Sequence, residues 1–274
     1  MTLKRVTITV KSDVLKRIDS MIDKKDIRNR SHAIEHLLKK SLNRTELDAV
    51  FIMAGGSGKA LRPITYELPK PLIPIAGKPV LEHQINMFKK FGLDKFVVSI
   101  NYMPEKVREY FGDGSKFNVS IKYIVEKNPL GTAGSLCLAK EYINGSFAMM
   151  NVDTLVKPDI YQMYEFHKKE NSLATLLLAS SHDPSSFGVA KMRGNKILEF
   201  SEKPKKAKSN LINAGFCIFD RSVMDMVPKR RFMIQDLFNR LSSNSQLSGF
   251  VHDTSIFDIG TNEGYGKAIK TWKP

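Results

Sequence analysis

Residues 49–63 read AVFIMAGGSGKALRP, and the reading of this stretch decides the fold. The apolar run from Ala49 to Met53 leads directly into Gly55, Gly56, Ser57 and Gly58. A short continuous apolar run is the pattern of a strand buried on both faces of a parallel sheet. Glycines after such a strand let backbone amides approach an anion with no side chain between, which suits a phosphate chain. The loop is not a Walker sequence, because Lys59 is followed by Ala60 rather than by Ser or Thr, and its glycine spacing is not that of a dinucleotide fingerprint.

Two further stretches, KFVVSIN at 95–101 and SFAMMNVD at 146–153, repeat the buried-strand pattern. Helical patterning falls near 80–91, 104–111, 132–143 and 158–169, between or after these strands. This alternation predicts an α/β fold, a doubly wound Rossmann-like sheet, over residues 49–274.

The 274 residues include 42% apolar and 26% charged side chains, a globular composition that excludes a disordered or fibrous chain. No run approaches the roughly 18 apolar residues of a membrane helix, and the polar opening MTLKRVTITV lacks the apolar centre of a signal peptide. A cytoplasmic protein with no membrane partner is expected. Cys137 and Cys217, far apart in apolar surroundings, build neither a disulfide framework nor a zinc site. The six histidines show no metal spacing. Lys and Arg number 43 against 28 Asp and Glu, a net charge of +15 that suggests an anionic partner. Residues 1–44 hold 12 of those cations and five of the acids, so nearly half of the excess lies in that segment.

The segment 3–10, LKRVTITV, sets Val6, Ile8 and Val10 on one side and Arg5, Thr7 and Thr9 on the other, the period of a half-buried strand. Ser12 or Asp13 can cap a helix with Leu15, Ile18 and Ile22 on one face. Asn29 or Ser31 can cap a second, striped by Ile34, Leu37, Leu38 and Leu42. One strand and two short helices are too few to close a core, so a domain at 1–44 should pair with a second copy as a homodimer. Higher homo-oligomers stay open. The linker is expected at about Asn43–Asp48.

With RVTITV and NRSHAIEHLL in these places, residues 3–42 resemble the ribbon-helix-helix family of DNA-binding domains. The resemblance implies an antiparallel ribbon in the major groove of double-stranded DNA, with Arg5, Thr7 and Thr9 facing the bases. It further implies that Asn29, Arg30 and Ser31, at the start of the second helix, hold a phosphate, with Arg28 nearby. A dimerisation arm with solvated charges is the alternative.

The longer run AGGSGKALRPITYELPKPLIPIAGKP looks like the signature of sugar-1-phosphate nucleotidylyltransferases. NPLGTAGSL at 128–136, NVD at 151–153, FSEKP at 200–204, INAGFCIF at 212–219 and DIGT at 258–261 continue the resemblance in order over residues 49–271. It implies attack of a sugar-1-phosphate oxygen on the α-phosphate of a nucleoside triphosphate, giving a nucleotide sugar and pyrophosphate. Positioning and charge neutralisation then carry the catalysis. By resemblance, Asp153 and Asp258 hold Mg²⁺, Lys70 faces the triphosphate and Lys203 the sugar phosphate. Gly55, Gly56 and Gly58 bind the nucleotide phosphates, and Gly131 with Glu126 receives the base, a carboxylate suiting guanine. Gly188, Glu202 and Asn213 contact the sugar.

Two positions depart from the family pattern. Ala60 stands where relatives carry an Arg that neutralises the leaving pyrophosphate, a loss that can cost on the order of 10³–10⁵ in rate. Val152 replaces a small residue before Asp153 and is expected to crowd the nucleotide. Three readings follow: an enzyme that is dimerised and DNA-targeted by residues 1–44; a transcription regulator sensing a nucleotide or nucleotide sugar with little turnover; or a transferase with an assembly arm.

Overall fold

The computed structural model describes residues 5–23, 27–41, 45–126 and 130–273. Leu3 and Lys4 of the expected strand, Leu42 of the second stripe, Asn43 and Arg44 of the expected linker, and Asn128 and Pro129 of the loop at 128–136 lie outside them. The chain divides into two compact units, residues 1–44 and 45–274.

In the first unit, helix α1 spans Ser12–Asp19 and α2 spans Arg30–Ser41. Residues 5–10 form no strand within the chain. The expected half-buried side is not buried either, since Val6 and Ile8 are 76% and 56% exposed. Helix α1 begins at Ser12 with Lys11 as its N-cap and no side-chain cap bond, so neither Ser12 nor Asp13 caps it. Asn29 does cap α2: its Oδ1 accepts from the His32 amide at 3.0 Å. The expected stripe is narrower than the pattern suggested, because Ala33 is the buried residue of α2 while Leu38 is exposed.

The second unit begins at Thr45, and Leu47 is already buried, so the described part of the expected linker is packed structure. Its strands are β1 (Ala49–Met53), the short pair β2 (Pro74–Ile75) and β3 (Lys78–Pro79), β4 (Lys95–Ile100), β5 (Ser120–Val125), β6 (Phe147–Asn151) and β7 (Thr154–Leu155). They continue with β8 (Ala174–Ser180), β9 (Gly188–Arg193), β10 (Lys196–Glu202), β11 (Leu211–Phe219), β12 (Leu247–Val251) and β13 (Phe257–Asp258). Among the described residues nine of these form one sheet in the order β5-β4-β1-β6-β11-β8-β12-β10-β9. Strands β5, β4, β1 and β6 are parallel, and β11 runs antiparallel to both β6 and β8.

Alternation along each strand divides the core between the two faces of the sheet. Val50 and Ile52 join Val80, Leu81, Ile85 and Phe88 of helix α4 (Val80–Lys89), Val107 of α5 (Pro104–Phe111) and Met163 of α8 (Ile160–Glu170). Ala49 and Phe51 face Ala133 and Leu136 of the short helices α6 (Gly131–Gly134) and α7 (Leu136–Ala139), and Phe238 of α9 (Ile234–Ser243). Helices therefore cover both faces, as a doubly wound sheet requires. The expected helix at 132–143 is two short helices with a break at Ser135. Strand β1 has β4 on one side and β6 on the other, so the strand order switches at β1 while direction is kept, and the crevice where ligands bind in such sheets opens at its carboxyl end. No helix among the described residues is long and apolar enough to cross a membrane.

Candidate active site

The loop after β1 is shaped by what lies under it. Gly58 has φ +63, and a Cβ there would come within 2.7 Å of Thr65 Cγ2, while the Thr65 hydroxyl donates to the Gly58 carbonyl at 2.8 Å. A Cβ on Gly56 would stand 3.0 Å from Lys70 Nζ. Gly56 thus lies over the ammonium and Gly58 over Lys70 Cγ, and the ammonium in turn stands 2.6 Å from Asp153 Oδ2. Pro69 and Pro71 hold Lys70 in a single 3-10 turn, with its side chain only 15% exposed.

Asp153 and Asp258 meet through one of the two two-stranded sheets among the described residues. Strand β7 pairs antiparallel with β13, setting Thr154 opposite Asp258, and the Ile259 amide donates to the Asp153 carbonyl at 2.8 Å. Asp258 Oδ1 accepts from the Gly260 amide at 2.9 Å. A Cβ on Gly260 would lie 3.0 Å from both Asp153 Oδ2 and Asp258 Oδ1, so one carbon would touch both carboxylates. Burial raises the Asp258 carboxyl above the ordinary carboxylate range, and the charge of Asp153 pushes the same way against the Gly260 amide. Among the described residues no three His, Cys, Asp or Glu gather into a metal cluster. The protein would give a hard cation two carboxylate ligands, with remaining positions for water or phosphate oxygen.

Asp153 and Asp258 open into a cavity of ≈ 260 Å³ whose lining includes Gly188, Glu202, Lys203 and Asn213. Glu202 ends β10, and desolvation raises its carboxyl against the opposing charge of Lys203. A Cβ on Gly188 would fall 2.8 Å from Glu202 Oε2 and 2.5 Å from Phe200 Cζ, so this glycine makes room for both. Lys203 takes φ +43, a sparsely populated conformation for a side-chain-bearing residue, and its amide donates to the Phe187 carbonyl at 3.0 Å. Asn213 Oδ1 accepts from the Gly215 amide at 3.1 Å, at the irregularity where β11 breaks register with β8.

Three expectations change. Glu126 borders Gly55, but its oxygens already accept from Ser99 Oγ at 2.9 Å and from the Leu130 amide at 2.8 Å. It anchors the loop rather than standing free for a base, with only its remaining lone pairs to offer. Gly131, at φ +79, is pressed against the chain before α9, where a Cβ would meet the Phe232 carbonyl oxygen at 2.7 Å; packing demands glycine there. Val152 is fully buried in the core and is absent from the cavity lining, so it does not crowd a nucleotide. Val152 and Asp153 form the turn between β6 and β7, with Val152 turned into the core and Asp153 half-buried at the cavity. Ala60 stays exposed, and the guanidinium of Arg62, two residues on, lies over the Tyr66 ring at 4.9 Å.

Sequence reasoning missed one wall, made by Met233, Ile234 and Gln235 at the start of α9 and tied down by the Ile234 amide donating to Thr132 Oγ1 at 2.8 Å. No periodicity marks such a contact. It also passed over Gln84, whose signal was a polar residue inside the buried stripe of α4.

In the first unit Arg5, Thr7 and Thr9 are exposed on their extended segment, and Ser31 is exposed at the start of α2. Arg30 is committed elsewhere: its Nε and a terminal nitrogen donate to the two Asp19 oxygens at 2.8 and 2.7 Å. Arg30 thereby forms an exposed ion pair that joins α1 to α2, a partner the sequence did not show.

A glycine loop at the switch point of an open α/β sheet, with paired carboxylates across the crevice, places the second unit in the nucleotide-binding class of doubly wound folds. The sequence profile described as Nucleotidyl transferase matches residues 49–273, and the chain belongs to that family. Mannose-1-phosphate guanylyltransferase 1 of Arabidopsis thaliana is 35% identical over 229 residues, covering 81% of this chain and 63% of the relative. Mannose-1-phosphate guanylyltransferase of Mycobacterium tuberculosis is 32% identical over 226 residues, covering 80% and 63%. The chain thus spans about 63% of the length of these relatives. HddC from Yersinia pseudotuberculosis shares the fold, with a TM-score of 0.72 at 24% identity, over 83% of this chain and 100% of that one.

Proposed function

We propose that residues 45–274 transfer a nucleotidyl group from a nucleoside triphosphate to a sugar 1-phosphate. An oxygen of the sugar phosphate attacks the α-phosphorus, the bond to the β-phosphate oxygen breaks, and pyrophosphate leaves. The observation that carries this reading is the single cavity into which Asp153, Asp258, Glu202, Lys203 and Asn213 all open, with Lys70 on Asp153 at its edge. The similarity to mannose-1-phosphate guanylyltransferases favours GTP and mannose 1-phosphate as substrates.

The glycine-loop amides and Lys70 would hold the triphosphate, Lys203 would neutralise the sugar phosphate, and Glu202 and Asn213 would orient sugar hydroxyls. Asp153 and Asp258 would hold Mg²⁺. The fit rests on the pocket above Gly260, which one added carbon would fill, and on the all-oxygen donor pair. When bound there, the ion supplies positive charge to phosphate oxygens as negative charge develops on them.

The test is pyrophosphate release over a panel of nucleoside triphosphates and sugar 1-phosphates with Mg²⁺. Turnover with GTP and mannose 1-phosphate above every other pair is expected. Nucleotide binding without turnover on any pair would replace the enzyme with a sensor, a reading favoured by exposed Ala60 and the stacking of Arg62 on Tyr66.

For residues 1–44 we propose homodimerisation through the extended segment, with DNA bound by Arg5, Thr7 and Thr9. Support comes from the exposed Val6 and Ile8, apolar side chains that a second copy would cover. Removing residues 1–44 should convert a dimer into a monomer in light scattering; a full chain that is monomeric overturns this. Arg5→Ala should weaken a preferred duplex by about 1–3 kcal/mol. Absence of duplex binding at low salt by an intact dimer would refute the DNA role.

A further inference from the structure

We propose that Gln84 is the positioning residue of Asp153, acting through the backbone of the turn that carries this carboxylate. The inference rests on the reading of Asp153 as a cation-facing group in nucleotidyl transfer. Gln84 lies in α4, 1% exposed, among Val80, Leu81, Ile85 and Phe88, where helical spacing calls for an apolar side chain. Its Nε2 reaches the carbonyl oxygens of Asn151 at 2.8 Å, Val152 at 3.3 Å and Thr154 at 2.8 Å.

An amide nitrogen has two hydrogens, so the long contact to Val152 shares one of them. The carbonyl left out is that of Asp153, which accepts from the Ile259 amide on the opposite side at 2.8 Å. The Val152 amide donates to the Met53 carbonyl at 3.1 Å. Four consecutive carbonyls are thus held, three towards α4 and one towards β13, and the turn between β6 and β7 is tied on both sides. Gln84 Oε1 finds no partner among the described residues, so the side chain is set by what it donates. With the backbone turned inward at 151, 152 and 154, the Asp153 carboxylate is carried out to Lys70 and to the space above Gly260.

Loss of this clamp should loosen Asp153 while leaving every cation-facing atom in the sequence. Removal of a partner that orients a metal ligand typically weakens metal binding by about 10–100-fold. A Gln merely filling the core would, when replaced by the similarly shaped Met, lower stability without selecting the metal.

The full chain carrying Gln84→Met is compared with wild type by amide hydrogen exchange, by Mn²⁺ binding from water-proton relaxation with GTP present, and by turnover against metal concentration. Faster exchange confined to residues 150–155 and 257–260 is expected, with half-saturation for Mn²⁺ raised by roughly 10–100-fold and kcat at saturating metal within about threefold. Unchanged exchange there, or unchanged metal half-saturation in a folded variant, overturns the proposal. If Gln84→Met does not fold, wild-type exchange decides: protection of residues 151–154 equal to that of β6 supports the clamp, and exchange at exposed-loop rates overturns it. Wild type that neither binds Mn²⁺ nor turns over substrate defeats the functional reading, while the exchange measurement still decides the role of Gln84.

Discussion

Lys70 Nζ lies 2.6 Å from Asp153 Oδ2, so the cation proposed for the triphosphate and a carboxylate proposed for the metal form an ion pair. Substrate binding must divide this pair, with phosphate oxygens taking the ammonium and a divalent cation taking the carboxylate. Lys70→Met removes a fixed positive charge from a site where negative charge grows in the transition state. Turnover should fall on the order of 10²–10³, measured as pyrophosphate release at saturating substrates. A loss under tenfold would show that Lys70 does not act on the transferring phosphates.

Gly260→Ala tests the carboxylate pocket from its other wall. The added methyl would lie 3.0 Å from Asp153 Oδ2 and from Asp258 Oδ1, inside the space a cation needs. Mn²⁺ affinity should drop by about 10–100-fold, read by titration, with circular dichroism unchanged.

Ala60→Arg should raise kcat more than it tightens nucleotide binding, because the restored charge meets the leaving pyrophosphate as that charge develops. Rates with and without the substitution, beside nucleotide dissociation constants, provide the check. Val152 needs no accompanying change. Val152→Gly would leave a hole in a fully buried core and should cost about 2–4 kcal/mol in denaturant unfolding while adding nothing to turnover.

His167 makes stability depend on pH. Burial lowers its ring from the ordinary 6.5 to about 4, and Nδ1 lies 2.8 Å from Thr175 Oγ1. Below 6.5 the unfolded chain takes up a proton that the folded chain refuses until about pH 4. Stability contributed by this residue is therefore complete above pH 6.5 and is lost as pH falls towards 4. The loss amounts to about 3 kcal/mol. The difference in unfolding free energy between pH 7 and pH 4 should be smaller by about that much in His167→Gln, measured by urea denaturation at each pH.

The parallel half of the sheet was legible because β1, β4 and β6 are buried on both faces and carry unbroken apolar runs. The motifs also located the cavity residues Asp153, Glu202, Lys203, Asn213 and Asp258. What escaped depends on distant partners. Nothing at Gly131 announces that Phe232 will lie against it, and β7 and β13, two residues each, are too short to show a period. Arg30 reads as a free cation until Asp19, on the other helix, is placed beside it. Residues 5–10 carry the period of a half-buried strand, yet no strand forms there, because period alone supplies no hydrogen-bonding neighbour.

The pairing of Thr154 with Asp258 spans more than a hundred residues for a contact two residues long. During synthesis, a growing chain that has emerged as far as β12 already contains the glycine loop, Lys70 and Lys203, but only one carboxylate of the pair. Such a chain could grip phosphates before it could hold the cation between two acids. On the proposed reading, the closing of β13 on β7, not the formation of the large sheet, sets the moment at which the catalytic charge balance becomes available.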